Sequence, residues 1–201
     1  MNLIDKDKNK IRGTYKKKID EYGIYKAQAV FWKDEISQYA RYKVLADIGD
    51  LDNCSVLDVG CGLGDLSFYL RNRFKNIKYE GFDIVPEMVE NAKKKYPDEK
   101  FNLSDIDDYR KGSFDYVFAA GVFTHKIEDF KKKYLHVIRK MYEVSKKGSA
   151  FNMLRSGGHI DNELYIVYNP YEIETMCKEF CSKVELMLDY LPQDFTVYLR
   201  H

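Results

Sequence analysis

Between Val56 and Asp65 the chain reads VLDVGCGLGD: the glycines Gly60, Gly62 and Gly64 stand at alternate positions, with carboxylates on both sides. Glycines there let the backbone turn sharply and let a ligand lie almost on the peptide planes. A loop built for pyrophosphate has the wider GxGxxG spacing and a helix N-terminus behind it, and the acids Asp58 and Asp65 would repel that ligand. The pattern suits a ligand with ammonium and sulfonium charge and no phosphate. Asp58 has a competing reading as an internal strand acid bonded to backbone amides, and Asp65 as the cap of the next helix. Cys61 fits between two glycines because it is small. Asp83 closes a second apolar run in GFDIV, and Asp105 belongs to the acidic stretch LSDIDDY. Of the four histidines, His136 falls inside a helical pattern and His201 is the last residue, which leaves His125 in GVFTHK and His159 in RSGGHID as candidate general bases. For both, a surface or capping histidine is the alternative.

These residues need elements to hold them. From Cys54 onward short apolar runs alternate with amphipathic stretches, predicting strands at Ser55 to Val59, Ile77 to Phe82, Lys100 to Leu103, Phe114 to Ala119 and Ser149 to Leu154. Helices are predicted from Leu63 to Phe74, from Pro86 to about Tyr96, and over the stripe Ile127, Phe130, Tyr134, Val137, Ile138 and Met141, with Lys146, Lys147 and Gly148 as the stop. Such alternation means parallel strands with crossover helices, hence a doubly wound α/β sheet. The rhythm then changes. A helix capped by Asn169 is followed by strands at Lys183 to Tyr190 and Phe195 to Arg200, joined only by LPQD, so the sheet should end in an antiparallel hairpin edge. The domain proper is predicted to span 51–201, with residues 1–50 as a tail and helical cap of the same domain.

At 201 residues and 45% hydrophobic content, one domain with an ordinary core is expected. Thirty-three basic against 32 acidic side chains give no global field toward nucleic acid or an anionic membrane. The first eighteen residues carry seven basic and two acidic side chains and read as a solvated or frayed tail. Helical spacing from Tyr22 to Ile48 places Tyr25, Ala29, Trp32, Ile36 and Tyr39 on one side, in one or two helices that precede the core. No signal-peptide region or bilayer-length apolar run is visible, so a cytoplasmic location is expected. Cys54, Cys61, Cys177 and Cys181 form no CxxC pair, and reduced, structural thiols without a metal are expected.

VLDVGCGLGD resembles the first motif of the class I, Rossmann-like S-adenosylmethionine-dependent methyltransferases, and the resemblance runs from about Cys54 to the end of the sequence. It implies a seven-stranded sheet and S-adenosyl-L-methionine as cofactor. Asp83 corresponds to the acid that holds both ribose hydroxyls, followed by Ile84. Asp105 corresponds to the acid at the adenine amino group, with Ile106 giving a backbone contact and an apolar edge. Ala119 to Gly121, including Ala120, correspond to the strand end that passes the methionine half. The preceding segment is a candidate cover for the pocket, with Trp32 in it and with Gln38 and Arg41 three apart on one helical face, where Arg41 offers a fork to the cofactor's carboxylate; the arrangement resembles that in a group of small bacterial-type methyltransferases. The competing reading has Trp32 packed on the domain and Arg41 at the surface.

Methyl transfer is an in-line displacement, so the protein must align the nucleophile, exclude water and take a proton from a hydroxyl or ammonium acceptor. Seventeen Tyr, 12 Phe and one Trp make aromatic faces near a sulfonium easy to supply. Nucleic-acid amino-methyltransferases of this fold carry a [DNS]PP[FYW] box where this chain has AAGVF, and YNPYE after the fifth strand is explained by helix capping. A small-molecule acceptor is therefore expected, with nucleic acid and membrane disfavoured. The rivals are a protein or tRNA methyltransferase, which a basic strip from Lys16 to Lys18 and Lys131 to Lys133 would favour, a non-catalytic cofactor-binding regulator, and an NAD-dependent oxidoreductase.

Overall fold

The computed structural model describes residues 5–157 and 165–201. Its strands form where the apolar runs fall: β1 (Ser55–Val59), β2 (Lys78–Asp83), β3 (Lys100–Leu103), β4 (Phe114–Ala119), β5 (Ser145–Leu154), β6 (Lys183–Met187) and β7 (Asp194–Arg200). They lie in the order β3-β2-β1-β4-β5-β7-β6. Pairing is parallel from β3 through β5 and antiparallel at β7 and β6, so the sheet is mostly parallel with the expected hairpin edge. The order reverses between β1 and β4, and the crevice beyond their carboxyl ends is where such sheets bind ligands.

Alternate side chains along each strand enter two different cores, as the two-residue period of a strand demands. Leu57, Val117 and Phe151 pack with Val137, Ile138 and Met141 of α5 (Phe130–Val144) on one face. Val56, Phe118 and Tyr198 pack on the other with Leu45 of α2 (Glu35–Ala46) and Leu66 and Leu70 of α3 (Asp65–Arg73). A fourth helix, α4 (Pro86–Lys95), starts on Pro86, and α6 (Pro170–Lys178) has Asn169 accepting from the Tyr171 N–H at 3.0 Å.

Three expectations need correction. The basic N-terminal stretch is not a frayed tail, because α1 (Asp5–Tyr22) runs through it and buries Ile11 in the core. The second segment belongs to the core rather than preceding it: α2 buries Gln38, Tyr42, Val44 and Leu45, whereas Ile36 is 82% exposed and Tyr25 71%. Its inward face is thus offset from the predicted one. Finally, Lys146, Lys147 and Gly148 do not cap α5 but start β5, since Gly148 pairs with both Tyr116 and Arg200. All four cysteines are free and buried, and Cys181 lies beyond the end of α6.

Candidate cofactor and active site

At the carboxyl end of β1 the chain turns through Gly60, Gly62 and Gly64 with φ of +64°, +53° and +82°. Alternate left-handed positions explain the GxGxG spacing, because each would strain any other residue. The loop is tied to the next strand. Asp83 accepts from the Gly62 N–H at 3.0 Å through one oxygen and from the Val85 N–H at 2.9 Å through the other. Burial pushes the Asp83 carboxyl up to about 6, although both amide bonds pull it down. Asp58 is 2% exposed and accepts from the Tyr79 hydroxyl at 2.7 Å. Burial drives it up to about 7, against that hydrogen bond, with Asp83 adding repulsion. Burial likewise raises the Cys61 thiol well above its usual range, which makes it an inert wall rather than a nucleophile.

A cavity of about 210 Å³ opens over this loop. Asp58, Gly60, Cys61, Gly62, Asp83, Ala120, Gly121, Trp32 and Arg41, all singled out from sequence, line it together. A smaller apolar cleft of about 50 Å³ shares Gly60 and is lined by Val59, Phe82, Ile84, Asp105, Ile106, Val122 and Val137. One acid-lined and one apolar compartment meeting at Gly60 fit a nucleoside with a charged extension. Gly64 lines neither compartment; it starts α3, and a Cβ on it would stand 2.6 Å from the Phe101 ring. Asp65 does not cap α3 but accepts from Lys95 at 2.6 Å and Tyr96 at 2.7 Å.

The cover comes from the N-terminal segment. Tyr15 of α1 and Val30, Phe31, Trp32 and Lys33 ahead of α2 line the cavity opposite the glycine loop. Trp32 is wedged against Gly121, where a Cβ would lie 2.7 Å from the indole, and Gly121 itself has φ +71°. The Arg41 guanidinium lies 4.8 Å from the Trp32 ring centroid. Its fork, assigned from sequence to a ligand carboxylate, is used on Asp194, with Nε 2.9 Å from Oδ1 and Nη2 bonded to Oδ2. The reason is burial: the Asp194 side chain is 3% exposed at the head of β7 and needs a counter-charge. Gln38 donates to the Tyr42 hydroxyl at 2.9 Å.

His125 does not itself line the cavity. Its Nε2 lies 3.1 Å from the hydroxyl of Tyr15, which does. His136 pairs with Asp107 at 2.8 Å, and His201 stacks on Tyr142. His159 lies outside the described residues. Sequence reasoning missed Tyr15, Phe31, Tyr165, Gln193 and Asp194. A signal existed for the first: Ile11, Tyr15 and Ile19 recur every four residues, a one-residue-wide apolar stripe.

A methyltransferase-domain family model matches residues 50–187. The chain belongs to this methyltransferase family. It is 30% identical over 158 residues to the Mycobacterium tuberculosis protein named methyltransferase Rv1506c, covering 74% of this chain and 94% of that one. It is 26% identical over 167 residues to the demethylmenaquinone methyltransferase of Chlorobaculum parvum, covering 81% and 65%. The magnesium protoporphyrin IX methyltransferase ChlM of Synechocystis PCC 6803, crystallised with bound SAM, superimposes over all of both chains with a TM-score of 0.69 and 16% identity, which speaks to the fold. The methyltransferase is thus a class I enzyme whose cofactor is S-adenosylmethionine, and the NAD-dependent oxidoreductase alternative is set aside. Among the described residues no helix is long and apolar enough to cross a membrane.

The raised acids give a pH prediction. Both folded-state values lie above the ordinary carboxylate value, so the associated stability is complete below about pH 4 and is lost as pH rises through about 6 to 7. Compared with Asp58→Asn, the ligand-free methyltransferase should lose on the order of a few kcal/mol between about pH 4 and 8 in chemical unfolding. Over the same window its affinity for S-adenosylhomocysteine should rise if Asp58 is the partner of the ligand's ammonium, since that contact requires the ionised acid. Parallel stability profiles for the two proteins would remove the buried charge from the account.

Proposed function

We propose that this methyltransferase acts on a small-molecule nucleophile held between the glycine loop and the aromatic cover, with Tyr15 and His125 handling the acceptor's proton. The observation that carries the reading is the shared cavity: Tyr15, bonded to His125, faces the same space as Asp58, Gly62 and Asp83. Relatives named demethylmenaquinone and magnesium-protoporphyrin methyltransferases support an acceptor of this kind.

S-adenosylmethionine supplies an electrophilic methyl on a sulfonium. Asp83 uses one lone pair of each oxygen on the Gly62 and Val85 amides and keeps the others for the two ribose hydroxyls. Asp58 takes the α-ammonium, while Asp105, Ile84 and Ile106 hold the base in the apolar cleft. Ala120 and Gly121 wall the methionine half, with Trp32 closing over them. Burial holds the Tyr15 phenol above its usual value, so it stays protonated and donates to His125 Nε2. A proton leaving the acceptor passes to the Tyr15 oxygen as the phenol proton moves to His125. His159 is kept as a second candidate because of its place after β5.

Methyl transfer to an acceptor panel tests this. Tyr15→Phe and His125→Ala should each lower kcat roughly 10²–10⁴-fold with little change in S-adenosylhomocysteine affinity. Unchanged turnover in the double variant His125→Ala, His159→Ala would dispose of the base. Tight cofactor binding without transfer to any acceptor would favour a regulatory cofactor-binding protein instead.

A further inference from the structure

The cavity has two chemically different walls. Its carboxylates, Asp58, Asp65 and Asp83, belong to the end of β1, the start of α3 and the end of β2. The facing wall is built from Tyr15, Phe31, Trp32 and Tyr165, with Lys33 and Gln193 as its polar members. Among the described residues no carboxylate lines that wall. Aromatic faces by themselves would also attract a cation. Two of these faces are already taken, Trp32 by the Arg41 guanidinium at 4.8 Å and Phe31 by the Lys18 ammonium at 5.8 Å from the ring centroid. In the proposed binding mode the cofactor's sulfonium would add positive charge beside the same space.

Lys33 and Gln193 are exposed at the rim. The Lys33 ammonium makes no ion pair, and the Gln193 amide no hydrogen bond, with any described residue. Asp34, the next residue, attracts the Lys33 ammonium, but among the described residues neither donor is engaged in a side-chain hydrogen bond or ion pair. Phe31 has φ +66°, a backbone state that a bulky side chain rarely adopts. Its ring is held there edge-on by Tyr15 at 5.3 Å, His125 at 5.9 Å and Tyr165 at 6.5 Å between centroids. Backbone strain of this kind persists where the surroundings enforce it, commonly at ligand clamps.

We infer that this wall is the acceptor subsite and that it takes a flat, anionic organic molecule, its unsaturated body against Phe31 and Tyr165 and its anion on Lys33 and Gln193. The inference rests on the methyl-transfer reading and narrows its substrate class. Among the described residues an amine acceptor would find no carboxylate on that side, and cations already stand over two of its four aromatic rings.

Three probes with one naphthyl body and different head groups separate the possibilities: naphthalene-2-carboxylate, naphthalene-2-carboxamide and 2-naphthylmethylammonium, each titrated calorimetrically into the full chain saturated with S-adenosylhomocysteine. The carboxylate should bind about fivefold tighter than the amide, with the ammonium weakest. Lys33→Gln should bring the carboxylate down to the amide, whereas Phe31→Ala should weaken all three together. Equal affinities, an ammonium that binds best, or no binding of any probe to the loaded protein overturns the anionic subsite and leaves the cofactor assignment standing. Failure of S-adenosylhomocysteine itself to bind overturns both.

Discussion

Asp83→Ala should lower the affinity for S-adenosylhomocysteine by a hundredfold or more. The substitution removes the acceptor of the Gly62 and Val85 amides, leaving two N–H groups without a partner at about 1–3 kcal/mol each, and with it the ribose contacts proposed for this carboxylate. The glycine loop then loses its tie to β2. Global stability should change far less, because the variant also loses a carboxylate whose burial is itself costly. Calorimetry gives the affinity and thermal unfolding the stability. Asp83→Asn, which keeps one acceptor oxygen, should fall between wild type and alanine. An Asp83→Ala protein that is folded and binds within threefold of wild type would show that the ligand does not sit over this loop.

Arg41→Ala should be the most destabilising single change outside the hydrophobic core, at about 3–5 kcal/mol. It strips the counter-charge from Asp194, whose side chain is 3% exposed, and empties the face of Trp32. Burial already raises the Asp194 carboxyl while Arg41 pulls it down, so without Arg41 it is raised further. The deficit should therefore grow with pH, as ionisation of an unpaired buried acid becomes the cost of folding. Arg41→Lys should rescue poorly, since an ammonium cannot make the two-pronged contact. Arg41→Met combined with Asp194→Leu should recover most of the loss. Urea unfolding at pH 5 and pH 8 reads all three, and a loss under about 1 kcal/mol for Arg41→Ala would mean that the pair is solvated.

What could be read from sequence was what local pattern encodes. The bounds of β1, β3 and β4 follow from short apolar runs, and the α5 stripe from its three- and four-residue spacing. The compartments around Gly60 were legible because Asp58, Asp83 and Asp105 each end or follow a strand that meets the same crevice. Contacts between distant segments were not legible. Arg41 and Asp194 lie 153 positions apart, Tyr15 and His125 lie 110 apart, and no spacing rule connects them. Charge hid α1, since its lysines surround a stripe only one residue wide. The inward face of α2 was misjudged because Gln38 and Tyr42 go inside as a hydrogen-bonded pair while Ile36 is left in solvent. At the start of β5 two lysines imitate a helix stop, but the ladders to β4 and β7 claim their backbone.

β7, the last strand in chain order, lies between β5 and β6 and pairs with both. On the ribosome the outer ladder of β5 must therefore stand open until Asp194–Arg200 has emerged, and β6 waits with nothing to pair with. Nascent chains stalled before that point expose a sheet edge over an unfinished core, the kind of species that aggregates or recruits chaperones. Synthesis of this sheet should accordingly depend on holding factors until β7 is delivered.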